Sequence, residues 1–155
     1  MKRLFYVLAA FLMFACGNDD DPSNSTHQVF ANVFYSYEAG GDEKIATPTL
    51  VMLYKEKPSD FDFEESVTSM ANNQKMKLKD GKIATPVHIS DSFSGINIID
   101  DVETGNYTLI TFYKPDGYSW PMFYYYGYKE ISVTDLSTNK IVFIWNNEAG
   151  KFVKK

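Results

Sequence analysis

Aromatic side chains are concentrated in one stretch near the end of the chain, between Tyr113 and Tyr128. Exposed Tyr and Trp rings stack on sugar rings and anchor protein interfaces, so this stretch could bind a ligand. The same rings could instead cover the edge of a core or form pairs across neighbouring strands. Tyr118 and Trp120 follow a turn, where loops usually carry function, and are the strongest candidates. The residues that we predict to bind a ligand are Tyr113, Tyr118, Trp120, Tyr124 and Tyr126.

The residues around these rings predict a turn followed by an edge strand. Lys114–Gly117 contains the Pro-Asp-Gly sequence of a turn. Pro121 has no N–H to give to a ladder, which places it at an edge or in a loop. Alternation along the following strand puts Tyr126 and Tyr128 on one face and Tyr125 on the other. Since a sandwich needs only one face of each sheet in its core, we expect several of these rings to be partly exposed.

Other residue types offer little for catalysis. His27 falls in a predicted tether. His88 falls on a predicted strand and should point to solvent, opposite to Val87 and Ile89. The sequence contains no Gly-x-Ser-x-Gly elbow and no phosphate-binding loop. One cysteine and two histidines do not suffice for a typical structural zinc site. We therefore predict a protein that is not an enzyme and that carries no metal or cofactor.

Two groups of carboxylates could gather around a calcium ion or flank a glycosidic bond. Glycosidases need two carboxyl groups at a fixed separation across a cleft, for which a small sandwich has limited room. A calcium loop needs more oxygen ligands in tighter register, and no EF-hand pattern is present. We interpret both groups as solvated loop charge. Their members are Asp60, Asp62, Glu64 and Glu65 in the first group, and Asp100, Asp101 and Glu103 in the second.

The start of the chain has the design of a secretion signal. Lys2 and Arg3 precede an unbroken apolar stretch that is shorter than the roughly 20 residues of a spanning helix. The stretch ends in Met13-Phe14-Ala15-Cys16, which resembles a bacterial lipobox, although Met13 and Phe14 depart from its usual residues. The resemblance implies that the Cys16 thiol carries a diacylglycerol, so that several acyl chains together anchor the protein stably.

The residues after Cys16 indicate which membrane the protein reaches and how it is spaced from that membrane. Gly17 is not an aspartate, so the inner-membrane retention signal of such lipoproteins is absent. Asp19–Asp21 resembles the export signal on surface lipoproteins of Bacteroides-like bacteria, and could equally be a solvated acidic spacer. We predict a signal peptide at residues 1–15, a lipidated flexible tether at 16–27, and a lipid-anchored protein on the bacterial outer membrane.

Composition limits the classes of partner that the chain without its signal peptide can bind. The full sequence has a net charge of −5, from 15 basic and 20 acidic residues. Removal of Lys2 and Arg3 with the signal peptide leaves 13 basic against 20 acidic residues, which is −7. This balance argues against nucleic acid, because phosphate binding needs clustered Lys and Arg. Cys16 is the only cysteine, so the single domain predicted at 28–155 must be stabilised by its core alone.

A rhythm of strands and turns runs through this domain. Alternating apolar and polar residues separated by Gly, Asp and Pro predict an all-β fold of about seven or eight strands, an Ig-like or transthyretin-like Greek-key sandwich. Lys55–Asn73 is the least regular part and has room for a short helix. The predicted strands are Gln28–Tyr37, Pro48–Tyr54, a hairpin within Met76–Val87, Ile96–Val102, Asn106–Tyr113, Tyr124–Val133 and Lys140–Trp145.

The segment Gly95–Leu109 resembles a signature of transthyretin-like domains, which include the carboxypeptidase regulatory-like and Cna-B-like groups. In that pattern, Val-x-x-Gly-x-Tyr-x-apolar opens a strand, as Val102, Gly105, Tyr107 and Leu109 do here. Thr47–Tyr54 and Lys129–Val133 are similar to an early strand and a closing strand of the same domains. The resemblance covers most of the domain, and it implies a sandwich that binds, spaces or scaffolds and rarely catalyses.

Two functions remain open. The first is a non-catalytic, envelope-anchored binding module for a glycan or a protein partner, with Tyr118 and Trp120 exposed in a shallow groove. The second is a structural or assembly lipoprotein without a small ligand, with those rings buried and an edge strand or apolar patch left bare.

Overall fold

The computed structural model describes residues 26–38, 40–66, 73–113, 125–135, 139–146 and 151–153. Cys16, Tyr118, Trp120 and Tyr124 lie outside the described residues. Within them the chain forms strands and short helical turns, so the predicted all-β class is confirmed. The strands are β1 (Thr26–Ser36), β2 (Lys44–Ile45), β3 (Thr49–Tyr54), β4 (Met76–Lys77), β5 (Ile83–Ala84), β6 (His88–Ser92), β7 (Ile96–Glu103), β8 (Gly105–Tyr113), β9 (Tyr125–Val133), β10 (Lys140–Asn146) and β11 (Lys151–Val153). A 3-10 helix spans Pro58–Asp60, and residues 63–66 are α-helical.

Two sheets make up the body of the fold. The first sheet has the order β11-β10-β1, and β7 and β2 follow one another along the other edge of β1. In it, β1 and β10 are parallel. The second sheet is antiparallel, in the order β6-β3-β8-β9. Constant immunoglobulin domains keep their first two strands in one sheet. Here the first two strands longer than two residues, β1 and β3, lie in different sheets.

The core between the sheets follows the predicted alternation. Val29, Ala31 and Val33 of β1 are fully buried and face inward. Asn97 of β7 is also fully buried, and its amide donates to the Ala31 carbonyl (3.3 Å) and to Thr49 Oγ1 (3.0 Å). This side chain ties the two sheets together, because Thr49 belongs to β3 of the second sheet.

A second core covers the outer face of the second sheet. Met52 and Tyr54 of β3 point away from the first sheet and pack against Phe61 and Met76. We call the described residues between β3 and β6 the cap, namely 55–66 and 73–87. Because β3 and β8 are buried on both faces, they appear as nearly continuous apolar runs rather than alternating ones. Our expectation that only one face of each sheet is buried is therefore wrong for the second sheet.

Hydrogen bonds hold the cap in place. The Ser66 hydroxyl donates to the Lys77 carbonyl (3.1 Å) and accepts from the Lys77 N–H (2.7 Å). The Thr108 hydroxyl of β8 donates to the Glu56 carbonyl at 2.6 Å, which joins the cap to the sheet. The Asp62 carboxylate accepts from the Glu65 N–H at 3.2 Å, as an acidic residue at a helix start does.

Two expectations about histidines are corrected by the strands. β1 begins at Thr26, so His27 lies in this strand and not in the tether, with Nε2 3.0 Å from Asp135 Oδ1. His88 is half-buried, while Ile89 beside it is 43% exposed. The reason is the register of β6, which places His88 opposite Leu53 and therefore on the inner face.

Candidate functional site

An aromatic groove lies where the edges of the two sheets meet. β9 is the last strand of the second sheet, and β11 is the last strand of the first. Between them is a groove of about 410 Å³, which we call the edge groove. Its lining residues are Tyr125, Tyr126, Gly127, Tyr128, Trp145, Lys151 and Phe152.

The inner wall of the edge groove is a set of packed rings. Tyr125 of β9 stacks on Trp145 of β10, with ring centroids 3.8 Å apart and an angle of 18° between the planes. Phe152 of β11 meets the Trp145 ring edge-on at 5.3 Å. Trp145 is only 5% exposed, so it is held firmly by its neighbours. This wall continues the core between the two sheets.

Gly127 lets the two sheet edges approach closely. A Cβ atom at this position would lie 2.5 Å from Cδ2 and 2.7 Å from Cγ of Phe152. Any larger residue would therefore displace the Phe152 ring, which is fixed to β10 through the pairing of Phe152 with Trp145. The glycine thus sets the width of the groove by its lack of a side chain.

The Tyr126 and Tyr128 rings of the lining pack against the cap. Phe63 stacks on Tyr128 at 4.3 Å and on Tyr126 at 5.5 Å, with planes within 12° of parallel. Tyr128 remains 48% exposed. Burial raises the pKa of Tyr126, and the nearby Tyr128 and Glu64 raise it further. The Tyr126 hydroxyl therefore stays protonated well above neutral pH and can donate a hydrogen bond.

Two polar groups of the edge groove have no protein partner among the residues that the structure describes. Lys151 is the charged residue in the lining, and it forms no ion pair within the described ranges. The indole N–H of Trp145 is buried and meets no acceptor there. An apolar wall with an exposed Tyr ring and the exposed ammonium group of Lys151 can stack on a flat or ring-shaped ligand and bind its oxygens.

The predicted ligand-binding residues divide into three cases. Tyr126 lines the edge groove and is half-buried. Tyr113 is 5% exposed and stacks on Tyr35 at 5.6 Å, so it belongs to the core and offers almost no surface to a ligand. Tyr118, Trp120 and Tyr124 lie outside the described residues.

Sequence reasoning missed most of the edge groove. The predicted alternation is confirmed, since Tyr125 faces one core and Tyr126 and Tyr128 face the cap. Of these three residues, only Tyr126 is among the predicted ligand contacts. Trp145 lies at the end of a predicted strand and was not considered as a ligand contact. Lys151 lies in β11, whose three residues are too few to show a periodic pattern.

Several acidic residues in the described part of the chain pair with lysines. Those ranges contain no group of three or more His, Cys, Asp or Glu side chains that could hold a metal ion. Lys77 pairs with Glu65, and Lys55 pairs with Glu103 at 3.6 Å. Asp80 accepts from the Lys82 ammonium group at 2.7 Å, and this hydrogen bond lowers the Asp80 pKa.

Comparison of the chain with protein-family models, with curated proteins and with solved structures finds no match. No helix among the described residues is long and apolar enough to cross a membrane. The edge groove and the sequence signals described above are therefore the features that bear on function.

Proposed function

We propose that this protein is a lipid-anchored, non-catalytic binding module whose edge groove binds a glycan. The observation that carries the proposal is the composition of the groove, where aromatic rings from β9, β10 and β11 form a wall beside the exposed ammonium group of Lys151. Aromatic faces pack against the C–H faces of sugar rings, while donors bind the ring hydroxyls. Tyr128 is the most accessible of these rings, at 48% exposure.

The anchor is the second part of the proposal. Cys16 lies ten residues before β1, a length of chain that extends over at most about 35 Å. Such a tether would let the domain stand clear of lipid headgroups on the outer membrane. Metabolic labelling with a palmitate analogue tests the anchor: the full chain should be labelled, and Cys16→Ser should not.

We further propose that the domain is transthyretin-like. Two packed sheets support this, and so does Tyr107 in the Val-x-x-Gly-x-Tyr segment. Its ring is 4% exposed, and its hydroxyl donates to the Glu103 carbonyl at 3.0 Å. Burial raises the Tyr107 pKa, which keeps the hydroxyl available as that donor. In the proposed family such domains bind or scaffold, in line with a non-catalytic role.

A glycan panel tests the binding function. The mature chain with Cys16→Ser would be screened against polysaccharides and host glycans by calorimetry and retention. Tyr128→Ala should weaken binding about tenfold, because it removes one stacking ring. Tyr37→Ala is the matched control, since Tyr37 is 62% exposed at the end of β1 and lies outside the groove. Equal binding by both variants would refute the edge groove as the site.

A structural or assembly role is the alternative, and one surface favours it. Ile45, Ile96 and Ile98 lie in a row on the outer face of the first sheet, opposite Phe34, Asn32 and Phe30 of β1. Each is 46–49% exposed. A continuous apolar row on an outer sheet face is typical of a protein interface. If this role is correct, Ile96→Asp should abolish self-association in ultracentrifugation, and the glycan panel should give no binding.

A further inference from the structure

We infer that the edge groove selects glycans that carry a carboxylate, such as chains of uronic acids, through Lys151 at its rim and the indole N–H of Trp145 in its wall. This inference rests on the proposed glycan-binding function. It adds the chemical class of the ligand, which the aromatic wall alone does not determine.

Lys151 supplies the charge. Among the described residues it is the one charged residue that lines the edge groove, it is exposed, and no described carboxylate pairs with it. By contrast, Lys77 pairs with Glu65 and Lys82 pairs with Asp80. A carboxylate at Lys151 would thus complete a charge pair and break none.

Trp145 supplies a donor in the wall. Trp145 is only 5% exposed, and its Nε1 atom has no acceptor among the described residues. Buried donors are nearly always hydrogen-bonded, and an unpaired one destabilises the protein that contains it. Because Tyr125 and Phe152 pack on this ring, a ligand oxygen reaches the enclosed N–H only when one of them moves aside, and a charged oxygen then makes the stronger hydrogen bond.

Because the molecule as a whole is acidic, only the surroundings of Lys151 can attract a ligand carboxylate to the edge groove. The chain is acidic, with a net charge of −5, so it has no general attraction for polyanions. Glu64 lies close enough to Tyr126 to raise the pKa of that phenol, on the cap side of the groove. A ligand carboxylate would therefore be repelled from the Tyr126 side and attracted to the β11 side, where Lys151 stands.

Oligogalacturonate and its methyl ester test the inference, because esterification removes the charge of each carboxyl group and adds only a methyl group. The protein is the mature chain with Cys16→Ser, studied by calorimetry in low salt. We expect the free acid to bind about threefold to fivefold more tightly than the ester. Lys151→Gln should remove this preference, and Lys151→Arg should retain it. Lys140→Gln, on β10 outside the groove lining, is the matched control and should leave the preference unchanged.

Salt gives an independent check. The preference for the acid should shrink when the salt concentration is raised to about 0.3 M, since exposed charge pairs are screened, whereas stacking is not. Equal binding of both probes, or an acid preference that survives in Lys151→Gln, would overturn the inference while leaving glycan binding in place. Binding of neither probe would also overturn it; the proposed function would then stand only if a neutral glycan in the panel binds and Tyr128→Ala weakens it.

Discussion

Removal of one ring from the second core tests whether the cap is packed on the sheet. Phe61 is 1% exposed and contacts the Tyr54 ring edge-on at 5.3 Å and the Phe63 ring at 5.6 Å. Phe61→Ala deletes a fully buried ring, for which the free energy of unfolding falls by about 3–5 kcal/mol. Since small domains have about 5–15 kcal/mol in total, the variant should lose a large fraction of its stability. The melting temperature should fall by roughly 10–20 °C.

The same substitution on the surface is the control. Phe93, in the turn between β6 and β7, is 80% exposed, so Phe93→Ala should change the free energy of unfolding by less than about 0.5 kcal/mol. Urea denaturation of both variants and the wild type, followed by fluorescence, gives the two differences if the m-values agree. A loss below about 1 kcal/mol for Phe61→Ala, similar to that of Phe93→Ala, would refute the second core.

Two further predictions concern glycines with positive φ and the protonation of a buried tyrosine. Gly95 has φ +70°, and a Cβ there would lie 2.3 Å from Ile45 Cγ2, so Gly95→Ala should cost about 3 kcal/mol or more in thermal unfolding. Gly81 has φ +86° with open space around it, so Gly81→Ala should cost only about 1–2 kcal/mol. Burial raises the pKa of Tyr54 above its ordinary value of 10.0, so above about pH 10 the unfolded chain loses a proton that the folded protein keeps. Stability should therefore fall by up to about 1.4 kcal/mol per pH unit between pH 10 and the folded pKa, and Tyr54→Phe should flatten that slope in urea denaturation at pH 9–11.

The strands that face one core were predictable from local pattern. Val29, Ala31 and Val33 alternate with larger or polar residues, and this pattern places β1 correctly. The hairpin turn at Gly81 was also predictable, because Asp-Gly tolerates positive φ. Local periodicity works here because one face of each segment is buried and the other is not.

The second core was not predictable in this way. β3 and β8 are buried on both faces, so their sequences do not show which residues face which layer. Phe61 and Met76 belong to the irregular segment after β3, and nothing in that segment indicates that it packs on a sheet. The excess of aromatic residues therefore left exposed rings and core packing both open, and Tyr54, Phe61 and Phe112 are buried in this second core.

The edge groove depends on the order of the strands. Trp145 and Lys151 meet Tyr125 only because β9 and β11 are the outermost strands of facing sheets. Alternation gives the face on which a side chain lies, but it does not give the neighbours of a strand. A site between two sheet edges thus requires the strand order.

Fluorescence of Trp145 tests the central claim most directly. The chain has two tryptophans, so Trp120→Phe leaves Trp145 as the only one, stacked on Tyr125 in the wall of the edge groove. Titration of this variant with a glycan retained in the panel should change the Trp145 emission saturably, with the same Kd as calorimetry, and added Tyr128→Ala should weaken that Kd. Binding measured by calorimetry without a change in Trp145 emission would contradict the account, because the ligand would then lie elsewhere on the protein.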